Sequence, residues 1–67
     1  MEGLKLTWWQ RHRLQEQLKA TQEAHLYRRT LAVLEVGRGR SMAQVAQALD
    51  VTRQSVYNWI ASYAKSA

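Results

Sequence analysis

The stretch Ser41-Met42-Ala43-Gln44-Val45-Ala46-Gln47-Ala48-Leu49-Asp50-Val51-Thr52-Arg53-Gln54-Ser55-Val56-Tyr57-Asn58-Trp59-Ile60 decides how this chain folds. Ser41 and Gln44 have the spacing of a capping box, in which hydroxyl and carboxamide each satisfy a backbone N–H of the first turn. The helix that follows, about Met42 to Leu49, turns Met42, Val45, Ala46 and Leu49 to one side. Asp50-Val51 reads as a tight turn, and Thr52 as the N-cap of a second helix from Arg53 to about Ala64. Val56, Trp59, Ile60 and Tyr63 form its apolar face. An eight-residue helix, a three-residue turn and a second helix match a helix-turn-helix unit over about 41–63. Ala46 is small where the two helices cross, which permits close approach.

With the apolar residues inward, steps of about 100° place Arg53, Gln54, Tyr57, Asn58 and Ala61 outward, with Lys65 beyond. That face suits a DNA major groove. Arginine can bond bidentately to guanine, and glutamine or asparagine to adenine. Arg53, Gln54, Tyr57 and Asn58 are therefore the candidates for base edges, while Ala61 adds no bulk to hold the helix away. Thr52, Ser55 and Ser41 stand at helix starts, where open N–H groups attract phosphate, and Arg38 and Arg40 precede the first of these helices. These five are the candidates for backbone phosphates. An ordinary pair of packed helices with a polar outer face would show the same periodicity. Charge, caps, turn length and the outward side chains together favour double-stranded DNA.

Upstream, two more helices are expected. Thr7 and Gln10 repeat the capping-box spacing before a helix from about Trp8 to Lys19, with Leu14 and Leu18 inward. Thr21 offers an N-cap for a helix near Gln22 to Val36, whose face gathers Ala24, Tyr27, Thr30, Leu31 and Leu34, flanked by Leu26 and Val33. Gly37 is a candidate for a left-handed helix terminus. The outcome is an all-α chain, four helices in a single domain over 1–67, with no internal repeat, linker or low-complexity tract.

Composition agrees with this and removes other classes. At 67 residues there is no room for an ordinary enzyme body with its own cleft. Leu, Val and Ile make up 14 of 67 residues, so the core is modest and leans on Trp and Tyr. Without cysteine there are neither disulfides nor thiolate metal sites. His12 and His25 have no helical spacing to each other, so neither metal nor cofactor is expected. No apolar run approaches the ~18 residues of a membrane span, and no signal-peptide core follows Met1. A location in the cytoplasm, on the nucleoid, is expected. Ten Lys/Arg against five Asp/Glu give +5, which favours a nucleic-acid partner.

Several motifs together resemble a known family: Leu6-Thr7, Leu14, Leu18, Tyr27-Arg28-Arg29, Leu31-Ala32-Val33-Leu34, Gly39-Arg40-Ser41, Val45-Ala46-Gln47-Ala48-Leu49, Val51-Thr52-Arg53 and Val56-Tyr57-Asn58-Trp59-Ile60. They resemble the N-terminal DNA-binding domain of bacterial insertion-sequence transposases of the mariner-like superfamily, over about Leu6 to Tyr63. Many regulators and invertases share the helix-turn-helix part; the two helices before it narrow the resemblance. It implies a homeodomain-like module that binds the terminal inverted repeats of a mobile element. In such proteins a separate catalytic domain with three metal-binding acids follows. The acids here, Glu2, Glu16, Glu23, Glu35 and Asp50, lack the framework to converge, so no catalytic residue is expected and the chain is not itself an enzyme. The chain is then either an excised domain or a free-standing binding module, and its end at Tyr63-Ala64-Lys65-Ser66-Ala67, inside or just past a helix, reads slightly more like excision. Two departures stand out: Asp50 where the family usually has Gly, and Trp8-Trp9 where it usually has acids.

Trp8 and Trp9 cannot both join the Leu14 stripe. Either they cover the bundle edge and neighbouring aliphatic stems, or they form a surface for a second copy or a further domain. Membrane-surface binding is a lesser alternative. Arg11-His12-Arg13 and Arg28-Arg29 read as solvated helix faces, with a supporting phosphate contact as the alternative. Two rival functions remain open: a small dimeric helix-turn-helix transcriptional regulator, and a protein-interaction module using Trp8 and Trp9.

Overall fold

Each of the four helices begins where a side chain takes up first-turn amides that the helix itself cannot satisfy. The computed structural model describes residues 4–66; Glu2, named among the acids, and Ala67, at the end of the chain, lie outside them. Helix α1 spans Trp8–Ala20, α2 Ala24–Gly37, α3 Met42–Leu49 and α4 Arg53–Ser66. Among the described residues no strand forms.

The capping boxes expected before α1 and α3 are both present. Gln10 N–H donates to Thr7 Oγ1 at 3.1 Å while Thr7 N–H donates to Gln10 Oε1 at 2.9 Å. Ser41 and Gln44 repeat the exchange, at 3.1 Å in both directions. The N-cap of α2 is not the expected Thr21 but Glu23, whose carboxylate accepts from His25 N–H at 2.9 Å and Leu26 N–H at 3.0 Å. Thr21 closes the preceding helix instead. Its N–H and hydroxyl both donate to the Gln17 carbonyl, at 3.0 and 2.7 Å, so the hydroxyl is engaged one helix too early to cap the next. Helix α2 accordingly starts at Ala24.

Helix α2 is the centre of the molecule. It packs against α1, α3 and α4, whereas α1 rests on α2 alone among the described helices. This explains why the expected single face was wrong at its edges. Ala24 and Tyr27 are exposed, and Ala32, Val33 and Val36 are buried together with Thr30 and Leu34. Where the three neighbours close around it, over 30–37, every position of the helix is buried or half-buried, so one 120° stripe does not describe it, while Ala24 and Tyr27 lie in its open first turns. Leu14 of α1, Val45 and Ala46 of α3, and Val56 and Ile60 of α4 complete the core. Leu4, Leu6, Leu18, Met42, Leu49, Val51, Trp59 and Tyr63 surround it.

Gly37 is the last residue of α2 and not the left-handed one; Gly39 has φ 104°. Arg40 N–H donates to the Glu35 carbonyl at 3.2 Å and Gly39 N–H to the Val36 carbonyl at 3.0 Å, the two bonds of a left-handed helix terminus centred on Gly39. Gly37 serves a different need. A Cβ there would lie 2.7 Å from Leu6 Cγ, so the missing side chain lets the segment before α1 lie against the end of α2. Two glycines two residues apart thus do two different jobs, close approach and positive φ.

Candidate nucleic-acid interface

The joint between α3 and α4 is set by one backbone conformation. Asp50 sits in the left-handed region, φ 57° and ψ 45°. Asp50 N–H then donates to the Gln47 carbonyl at 3.3 Å and Val51 N–H to the Ala46 carbonyl at 3.0 Å. This is again the double bond of a left-handed terminus. Val51 stays half-buried beside the core that Ala46 belongs to, the apolar contact that accompanies such termini. Thr52 then starts α4, its Oγ1 accepting from Ser55 N–H at 3.1 Å. The turn aims α4 so that Val56 and Ile60 are buried against α2 and α3.

All the residues expected to face outward on α4 do so: Arg53, Gln54, Tyr57, Asn58, Ala61 and Lys65 are exposed. The structure adds a bond between two of them. Gln54 Nε2 donates to Asn58 Oδ1 at 3.0 Å, an i, i+4 pair that holds the two carboxamides together on the open face. Tyr57 stands beside them, half exposed.

The five phosphate candidates divide. Arg38 and Arg40 are exposed at the head of α3, but both are bonded to one carboxylate. Arg38 Nη1 donates to Glu35 Oε1 at 3.2 Å, and Arg40 Nε pairs with Glu35 Oε2 at 2.9 Å. Ser41 Oγ is an acceptor in its capping box, and the Thr52 and Ser55 hydroxyls lie 2.9 Å apart and bond each other. Beside Arg40 the outer face of α3 is slightly hollowed, lined by Arg40, Gln44, Gln47 and Ala48. Sequence reasoning alone misses Glu35. Its i, i+3 spacing to Arg38 was legible, while its bond to Arg40 exists only because the chain turns left-handed at Gly39.

Of the other basic residues, Arg11, His12, Arg13 and Arg28 are exposed as expected. Arg29 is half-buried, and its Nη2 donates to Ser62 Oγ at 3.1 Å, tying α2 to α4. His25 adds an edge-on ring contact to Trp59, centroids 5.8 Å apart, between the same two helices. Trp8 and Trp9 are 62% and 73% exposed, which removes them from the core. They form an aromatic cluster on α1: Trp9 meets Trp8 edge-on at 4.8 Å, and Trp8 stacks on His12 at 5.2 Å.

A family model described as a homeodomain-like domain matches residues 25–67. The chain belongs to this family. The match takes in α3, α4 and all of α2 but its first residue, so the homeodomain-like unit is the three-helix half that carries the helix-turn-helix. Helix α1, with its exposed indoles, stands outside it. Family and geometry together support DNA binding through this unit. No curated protein and no solved structure matches the chain. Among the described residues no helix is long and apolar enough to cross a membrane.

Proposed function

We propose that this homeodomain-like domain binds double-stranded DNA in a sequence-specific manner, and that it recognises the terminal inverted repeats of a mobile element as the end-binding part of a transposase. The observation that carries the DNA reading is the outward face of α4. Arg53, Gln54, Tyr57 and Asn58 project together from a helix seated by its opposite face on the core, with Ala61 leaving room for a groove wall. In this reading Arg53 reads a guanine, the Gln54–Asn58 pair reads an adenine, and Arg38 and Arg40 meet phosphates beside α3. Ser41, Thr52 and Ser55 present helix-start hydroxyls to the same backbone. The domain performs no chemistry of its own, and it works on the nucleoid, in the cytoplasm. The transposase assignment rests on the resemblance over Leu6 to Tyr63, which takes in α1 as well as the homeodomain-like unit.

Selection of bound duplexes from a random pool tests both levels. A single or directly repeated site is expected, and a symmetric palindrome would favour a dimeric regulator instead. On the selected site, Arg53→Ala should cost ~1–3 kcal/mol and relax preference at one base pair. Equal losses on selected and scrambled DNA would take α4 out of the groove.

One observation favours an additional, protein-binding role. The contiguous Trp8-Trp9-His12 cluster is open and lies on the helix outside the homeodomain-like unit, as a surface for a second copy or a further domain would.

A further inference from the structure

Both arginines assigned to phosphates already have a carboxylate. Glu35 offers one oxygen to each, and its side chain is only 18% exposed while those of Arg38 and Arg40 are 46% and 61% exposed. Two guanidiniums and one carboxylate leave the group at +1. The arrangement is held by the backbone as well as by charge. The Glu35 carbonyl accepts from Arg38 N–H at 3.1 Å and from Arg40 N–H at 3.2 Å, so this residue in the last turn of α2 also fixes the loop carrying both arginines. A phosphate arriving here meets guanidiniums that are partly neutralised. Binding exchanges one ion pair for another instead of creating a new one.

We propose that Glu35 is a built-in counter-charge for DNA-backbone binding: it positions Arg38 and Arg40 beside α3 and makes the two count as about one cation toward the duplex. The proposal rests on the DNA-binding reading above. Sequence-independent affinity comes from phosphate contacts and their released counterions. A carboxylate at this point therefore weakens attachment to every DNA alike and leaves discrimination to the face of α4. Glu35 acts through the arginines as a positioning residue and makes no contact with DNA itself.

The test is a salt series of binding isotherms on selected and scrambled duplexes, with thermal melts of each variant. Glu35→Gln should steepen the slope of log affinity against log salt by about one unit, because each added phosphate contact contributes ~0.9. If the isotherms converge near 1 M salt, that slope gives about eightfold tighter binding at 0.1 M, equal on both duplexes. Glu35→Asp keeps the charge and should keep the wild-type slope. Combining Glu35→Gln with Arg40→Ala restores a net +1 and should return the slope to that of the wild type. A merely structural glutamate would alter the melt and leave the slope alone. Should the Gln variant fail to fold, Glu35→Met, neutral and helix-favouring with a stem of similar length, takes its place. An unchanged slope or weakened binding in a folded neutral variant overturns the proposal. A wild-type protein with no salt-dependent affinity for either duplex overturns the DNA-binding reading itself.

Discussion

Replacing Asp50 by glycine should raise the melting temperature. Asp50 is exposed, and its left-handed backbone supports both bonds that close α3, to the carbonyls of Gln47 and Ala46. For a residue with a Cβ the left-handed well costs ~1–2 kcal/mol, at the lower end for Asp and Asn. Glycine occupies it freely but gives up ~0.5–1 kcal/mol through its greater freedom in the unfolded chain. The charge contributes little net. It is unfavourable beside the C-terminal carbonyls of α3 and favourable two residues before Thr52 at the start of α4, each effect being ~0.3–1 kcal/mol. The sum is a gain of no more than ~1 kcal/mol, or up to ~4–8 °C in Tm for a domain of this size. Differential scanning calorimetry on three variants separates the causes. Asp50→Asn keeps the tolerance for left-handed backbone and removes the charge, so it should melt close to the wild type. Asp50→Ala keeps the strain without a polar side chain and should melt below it. The Gly and Asn variants should also bind DNA slightly more tightly at low salt, each having lost one repulsive charge. A fall in Tm for Asp50→Gly would refute the reasoning, because Asp50 would then be supplying a stabilising interaction larger than its strain.

Trp8→Ala and Trp9→Ala should each shift stability by less than ~0.5 kcal/mol, since neither indole is in the core, whereas a buried Trp would cost ~3–5 kcal/mol. Chemical denaturation and light scattering check this, and variants that melt early while the wild type is monomeric would end the protein-surface role. Gly37→Ala should destabilise, because displacing Leu6 costs ~1–3 kcal/mol of overpacking against ~0.5–1 kcal/mol gained by replacing a helical glycine. In a double-mutant cycle with Leu6→Ala the two losses should sum to more than the double variant shows, and strict additivity would mean that the two residues do not meet.

Local signals made most of this architecture readable in advance. The Thr7–Gln10 and Ser41–Gln44 boxes need only three-residue spacings, and the structure contains both. The start of α4 at Thr52 and the outward set Arg53, Gln54, Tyr57 and Asn58 follow from the same short-range rule, since one inward apolar stripe defines the opposite face. The readings that failed depend on what a helix end meets. Thr21 has the usual cap chemistry, but the Gln17 carbonyl takes its hydroxyl, and Glu23 caps α2 in its place. Gly37 and Gly39 were equally able to turn left-handed, and the contact of Leu6 with the end of α2 assigned them different tasks.

By itself, then, the sequence determined four helices, the starts of α1, α3 and α4 and the polar face of the last one, because capping and periodicity are properties of neighbours within a turn or two. Only the tertiary structure decided which helix lies at the centre. Three partners around α2 buried Ala32 and Val36 outside the expected stripe, and the return of the chain at Gly39 brought Arg40 to Glu35. It also decided that Trp8 and Trp9 stay exposed, since α1 touches α2 alone among the described helices and no described residue covers the two indoles. Burial and ion pairing across a turn are set by the distance between segments, and spacing along one helix carries no information about that distance.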